Sequence, residues 1–159
     1  MLAYTALIIA VALERIAELV VSQRNLAFSR KRGGVEYGAG HYPVMIVLHT
    51  ALLVACLLEA AHREFLPALG WPMFGIVLAA QGLRWWCIST LGHQWNTRVV
   101  VVPGAARVTG GPYRYVPHPN YVAVVAEGIA LPLVHSAWIT AVVFTALNAF
   151  LLRTRITCE

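Results

Sequence analysis

The sequence predicts an all-α integral membrane protein: five transmembrane helices, helices 4 and 5 forming a hairpin, and an ordered cytoplasmic loop before helix 4. Three observations predict it. Hydrophobic residues make up 59% of the 159 positions and charged residues only 12%, about half the roughly 25% typical of soluble proteins. The mean hydropathy is +0.68, more apolar surface than a chain of one-domain length can bury in water. The basic residues gather on alternate loops. The same composition excludes a disordered chain and a disulfide-rich secreted scaffold.

The first apolar stretch runs from Leu2 to Val21. It lacks a basic n-region, so it reads as a retained helix and not a signal peptide. Pro43 to Ala61 and Trp71 to Thr90 follow, each close to the roughly 20 residues that cross a bilayer. Pro119 to Leu133 is shorter, with Pro119 suited to a first helical turn, where its missing N–H is not needed. His135 to Leu152 is the fifth. Pro132 and the Val134-His135-Ser136 stretch read as the tight turn of a hairpin. The whole chain, 1–159, is taken as one domain.

The charges orient these helices. Arg24, Arg30, Lys31, Arg32, Arg98, Arg107, Arg114, Arg153 and Arg155 flank one side, and Arg63 alone the other. Nine basic residues against one place those loops and the C-terminus in the cytoplasm and the N-terminus outside. Net charge is +5, which in so apolar a chain is a topology signal and not a nucleic-acid footprint. The segment from Gly92 to His118 is long for a connection within a bundle. Its valine run and its Pro-Gly and Gly-Gly-Pro turns predict an ordered loop that helps build a cytoplasmic site.

Six charged residues fall inside the drawn helices: Glu14, Arg15, Glu18, Glu59, Arg84 and Glu127. Unpaired, each costs about 2.5–3.5 kcal/mol or more at mid-bilayer, so they should face the bundle interior. Arg15 and Glu18 can pair at i,i+3. Glu127 lies about 12 Å in from Pro119 at 1.5 Å per residue. Glu59 sits near the outer end, within reach of headgroups. Arg84 and Glu127 approach the long loop and are the candidate catalytic pair. Three scattered cysteines, Cys56, Cys87 and Cys158, form neither a disulfide framework nor a zinc site. Six histidines show no H-x-x-H or H-E-x-x-H spacing, so no metal is expected. His49 reads as a satisfied polar group between helices. The tryptophans read as an interfacial belt, with Trp95 able to line a site.

The run Gly111-Pro112-Tyr113-Arg114-Tyr115-Val116-Pro117-His118-Pro119-Asn120-Tyr121 leads directly into helix 4. It resembles the G-P-Y-x-x-x-R-H-P-x-Y segment of the isoprenylcysteine carboxyl methyltransferase family. Arg84-Trp85-Trp86, Leu91-Gly92-His93-Gln94-Trp95, Thr97-Arg98, Glu36-Tyr37-Gly38 and His41-Tyr42-Pro43 are similar to the family's small bacterial members. Arg155-Ile156-Thr157-Cys158-Glu159 resembles the start of its R-I-x-x-E-E element. Pro117 stands where the family has Arg, and the sequence reaches only the first Glu of the final element.

The resemblance implies S-adenosylmethionine (SAM) as methyl donor, S-adenosylhomocysteine as product, and a bacterial inner membrane location. Arg155 suits the donor's carboxylate and Glu159 its ammonium or ribose. Thr109, Gly110 and Gly111 offer backbone to the adenine edge. Tyr113, His118 and Tyr121 supply rings and polar groups, an aromatic face being favourable beside a sulfonium. Arg84 would steady an anionic acceptor, and Glu127 would orient it or act as a base. The implied acceptor is a lipophilic carboxylate or hydroxyl, prenylcysteine-like or alkylpyrone- or alkylresorcinol-like, reached from the bilayer, with no nucleic-acid partner. Two alternatives stay open. His-Pro-Asn-Tyr also occurs in much longer NADPH-dependent membrane sterol reductases, and Pro117 and the short tail would suit an inactive scaffold.

Overall fold

The computed structural model describes residues 1–106 and 108–158. Among them run five α-helices: α1 Leu2–Arg30, α2 Tyr42–Ala60, α3 Pro67–Leu91, α4 Pro119–Leu133 and α5 Trp138–Cys158. The architecture is all-helical, with one small addition, the three-residue strands β1 Val35–Tyr37 and β2 Val99–Val101. They pair antiparallel, Val35 with Val101 and Tyr37 with Val99, and so tie the α1–α2 connection to the long loop before α4.

Helix α1 continues nine residues beyond the predicted end at Val21. Its 29 residues span about 43 Å at 1.5 Å per residue, more than the roughly 30 Å of a hydrocarbon core. The extension is polar in sequence, and the loop holds it. Ser22 Oγ donates to Asn96 Oδ1 at 2.7 Å. Asn25 Nδ2 donates to the carbonyls of Trp95 at 2.7 Å and Gly92 at 3.1 Å.

Helix α3 starts four residues before Trp71 because Pro67 occupies its first turn, where proline is pre-set for helix. Helices α4 and α5 form the expected hairpin. Ser136 takes a left-handed φ of 60° in the turn, so α5 starts at Trp138 and not at His135. Glu59 caps that start and does not reach out to headgroups. Its Oε1 accepts from Thr140 N at 2.7 Å and its Oε2 from Ile139 N at 3.2 Å. A carboxylate there satisfies orphan donors and opposes the helix dipole. The hairpin is tight at Gly128, where an added Cβ would lie 2.3 Å from the Phe144 ring.

An apolar core fills the end of the bundle near this turn. Tyr4, Ile8, Leu52, Cys56, Leu131 and Phe144 belong to it, and Tyr4 Oη donates to Leu131 O at 2.9 Å. Large apolar side chains elsewhere point outward, among them Leu13, Val47, Leu58, Val142 and Phe150. Among the described residues, two helical stretches are long and apolar enough to cross a membrane: Ala39–Ala60, which is α2 with the turn before it, and Trp138–Thr157 in α5. Only 17% and 33% of their most apolar windows are buried, so that apolar surface faces outward, where lipid would cover it. Pro119–Leu133 is a shorter apolar helix.

Candidate active site

Towards the loop end, the helices diverge around a cavity of about 870 Å³, within the roughly 300–1,000 Å³ range of small-molecule sites. Each helix contributes to its wall, including Glu18 from α1, His49 from α2, Arg84 from α3, Tyr121 from α4 and Asn148 from α5. The long loop closes the remaining side through Trp95, Thr97 and Val99.

The deep wall is a buried ion cluster. Glu127, wholly buried at 0% exposure, uses both carboxylate oxygens. Oε1 accepts from Arg15 Nη2 at 2.7 Å. Oε2 accepts from Arg84 Nη2 and Gln81 Nε2, each at 2.9 Å. Arg84 Nη1 donates to Glu18 Oε2 at 3.3 Å, and Arg15 Nη1 lies 4.0 Å from the same oxygen. One helix thus supplies two members at i,i+3, and α3 and α4 supply the rest. Burial without partners would be prohibitive, and the pairing is what lets these charges sit inside an apolar bundle.

The mouth combines hydroxyl groups with further arginines. Thr97 is its hub: its hydroxyl lies 2.7 Å from Ser22 Oγ and 3.0 Å from Tyr42 Oη, and its carbonyl accepts from Arg155 Nη2. Arg98 Nη1 donates to Glu36 Oε1 at 2.9 Å, and the Arg98 guanidinium stacks over the Tyr42 ring at 4.0 Å, a cation–π contact. His118 and Tyr121 stack, centroids 5.2 Å apart and planes at 16°. Four arginines line the cavity: Arg15, Arg84, Arg98 and Arg155. Among the described residues, the first three pair with carboxylates and Arg155 does not.

The structure therefore gathers Arg84, Tyr113, His118, Tyr121 and Arg155 around one space. Glu127 stands behind Arg84 and is not part of the wall. Thr109, Gly110 and Gly111 are not among the described residues that line the cavity. Gly111, at a φ of +55°, packs on α3, where an added Cβ would meet Thr90 Oγ1 at 2.4 Å and Trp86 Nε1 at 3.2 Å. Close approach to α3 is thus what Gly111 provides. Glu159 lies outside the described residues. Pro117 lines the cavity, so the position that carries Arg in the resembled segment is a wall position here.

Sequence reasoning left Glu18 open between a structural ion pair and function, read His49 as a satisfied polar group, and passed over Asn148. Asn148 is 2% exposed and its Oδ1 has no hydrogen-bond partner. An amide in the middle of an apolar helix was the available signal, since polar groups at such depth face a bundle interior or a cavity.

A family model described as "Isoprenylcysteine carboxyl methyltransferase (ICMT) family" matches residues 73–159, the part carrying Arg84, the His118–Tyr121 stack and Arg155. "Uncharacterized protein YpbQ" of Bacillus subtilis (strain 168) is 35% identical over 154 residues, 96% of this chain and 92% of that protein. An "Uncharacterized protein" of Haemophilus influenzae is 26% identical over 148 residues, 91% of this chain and 86% of that one. No solved structure matches the chain at a significant level. The match from α3 to the final helix covers more than half of the chain and includes the cavity's motif residues; the chain belongs to the isoprenylcysteine carboxyl methyltransferase family, a family of membrane-integral methyltransferases.

Proposed function

We propose that the chain is a SAM-dependent O-methyltransferase that modifies a lipophilic carboxylate or hydroxyl at the membrane. The observation that carries this reading is one cavity joining the motif residues His118, Tyr121 and Arg155 to the buried cluster at Arg84 and Glu18. All five helices cross the bilayer in this reading, with the cavity mouth and C-terminus in the cytoplasm of a bacterial cell. The nine-to-one split of basic residues supports that orientation.

The residues fit SAM in charge and shape. Arg155, the cavity arginine with no carboxylate partner among the described residues, suits the amino-acid carboxylate in a charge-assisted pair. Tyr113, His118 and Tyr121 suit the remainder, and Glu159 remains a candidate for the ammonium. SAM supplies an electrophilic methyl group on a sulfonium. The chain's own work is alignment and exclusion of water, the main demands of an in-line transfer. Arg84, clamped between Glu18 and Glu127, presents a fixed guanidinium at the deep wall. Glu127, with three donors on its two oxygens, holds that guanidinium in place, and the role of base assigned to it from sequence gives way to positioning.

Labelled methyl transfer from SAM into a lipid extract, followed by product identification, tests the reading. A labelled lipophilic ester or ether is expected. Stabilisation of the purified chain by NADPH but not by SAM would overturn it in favour of a reductase, and no response to either would favour a scaffold.

A further inference from the structure

Helices α2 and α5 leave a second, smaller hollow on the outside of the bundle, with a volume of about 240 Å³. Leu48, Ala51 and Ala55 form one bank, Ile139, Val143 and Leu147 the other, and Phe144 the floor. Ala51 and Ala55, one turn apart, are small where their neighbours are large, and that leaves the gap. From Ile139 to Leu147 the groove runs about 12 Å at 1.5 Å per residue. One leaflet is about 15 Å deep, half of a roughly 30 Å hydrocarbon core. The groove begins in the first turn of α5, which the five-span reading puts at the outward side of the membrane, and ends near mid-bilayer.

The outward end is polar and cationic. Trp138, 53% exposed, stands beside it, and the Arg63 guanidinium lies over the Trp138 ring at 5.4 Å, a cation–π contact at the depth where tryptophan marks an interface. Arg63 Nε donates to Glu59 Oε2 at 3.3 Å, and among the described residues its Nη groups make no hydrogen bond. Glu59 is already committed to the start of α5, accepting from Ile139 N, Thr140 N and Thr140 Oγ1, where the helix dipole opposes its charge. Arg63 therefore has donors to spare for an anion.

We propose that this groove is a site for a phospholipid of the outward leaflet, one acyl chain lying between α2 and α5 and its phosphate held by the Arg63 guanidinium. The proposal rests on the five-span reading and not on methyl transfer. Charge and shape both select this occupant. A phosphate matches the donors of Arg63, and an apolar groove as deep as one leaflet matches one chain. A helix from a second copy is about 10–12 Å across with its side chains, too broad for a groove of this volume. The bound chain would rest on Phe144, whose ring meets His49 of the larger cavity edge-on, centroids 5.4 Å apart, and so brace that cavity's wall from the lipid side.

The full chain in detergent is titrated with dioleoylphosphatidylglycerol and with dioleoylglycerol, which has the same chains and no phosphate, and bound lipid is counted by native mass spectrometry. The wild type should hold one phosphatidylglycerol about 10-fold or more tightly than the diacylglycerol, the worth of a charge-assisted contact. Binding should raise the denaturation midpoint. Arg63→Gln should remove the preference, and Arg63→Lys should restore part of it. Ala51→Leu and Ala55→Leu, which fill the groove from its open side, should each weaken both lipids. Equal binding of the two lipids by the wild type, or binding untouched by either leucine, overturns the proposal. So does a wild type that dimerises in nanodiscs and becomes monomeric with Ala51→Leu, because the groove is then an interface between copies. If the leucine variants do not fold, the wild type still decides: phosphatidylglycerol with a diazirine midway along one chain should label residues 48–55 and 139–147, and labelling confined to other helices overturns the site. None of these measurements uses SAM, so the methyltransferase reading stands or falls separately. A chain that carbonate washes out of membranes takes down the five-span reading, and the lipid site with it.

Discussion

At the turn end of the bundle, Tyr4, Ile8, Leu131 and Phe144 close around one another with small residues filling the contacts. At the loop end, about two to four turns along α1 and about one turn along α4, Arg15, Glu18 and Glu127 line or back an open cavity. The two regions obey different rules. The first is held by shape, where one methyl group too many is felt. The second is held by charge matching, where volume is free and any unpaired group is costly. Separating them along the helices lets the apolar end fix the spacing of α3, α4 and α5, so that the polar end can stay open.

The largest expected effect breaks the charge-matched region. Glu127→Ala removes the close partner of Arg15 and leaves Arg84 with Glu18 alone, and should cost about 3–5 kcal/mol of stability, read as loss of the folded species in detergent denaturation. Survival with unchanged stability would mean that the cluster is not held by pairing. Gly128→Ala attacks the shape-matched region at the Phe144 contact and should cost about 1–3 kcal/mol by overpacking. Adding Phe144→Ala should recover part of that loss in a double-mutant cycle, since neighbouring sites couple.

Arg155→Ala separates the two regions by readout. Denaturation should move by about 1.5–3 kcal/mol at most, the value of its one charge-assisted hydrogen bond to the Thr97 carbonyl. SAM affinity of the folded protein should fall about 10- to 100-fold, as for a lost charge-assisted bond of about 1.5–3 kcal/mol. A loss of stability with unchanged SAM affinity would place Arg155 with the structural residues. The smallest effect tests the turn end without touching volume. Tyr4→Phe removes one buried hydrogen bond to Leu131 and should cost about 1 kcal/mol, with the methyl-transfer rate unchanged.

Local signals made much of the fold legible. Apolar length placed all five helices, Pro119 marked the start of α4 to the residue, and the Val134–Ser136 turn was visible from its breakers. What escaped depends on partners far away in the chain. The last nine residues of α1 look like a loop because Ser22 and Asn25 are polar, yet they are helical because residues 92–97 satisfy them. The β1–β2 ribbon joins valines 66 positions apart, Val35 and Val101; the valine run at 99–102 favours a strand, but its partner is not visible locally. The motif residues His118, Tyr121 and Arg155, singled out by resemblance, line one cavity. Which carboxylate faces the cavity was not legible, since that depends on three-dimensional packing: Glu127 is enclosed by donors from α1 and α3, whereas Glu18, paired with Arg84, lines the cavity. The packing of Gly111 against Thr90 and Trp86 on α3 was hidden for a related reason.

The ion cluster also sets a clock on how the protein is made. On the five-span reading, α1 enters the bilayer first, carrying Glu14, Arg15 and Glu18. The partner of Arg15, Glu127, lies 112 residues later. At about 5–20 residues per second that separation corresponds to about 6–22 s of synthesis. During that interval the i,i+3 contact between Arg15 and Glu18 is the local means of holding those two charges in the membrane, and α1 can settle only when α4 arrives. A helix that must wait for its counter-ion is the natural step for an insertase or a neighbouring lipid headgroup to assist.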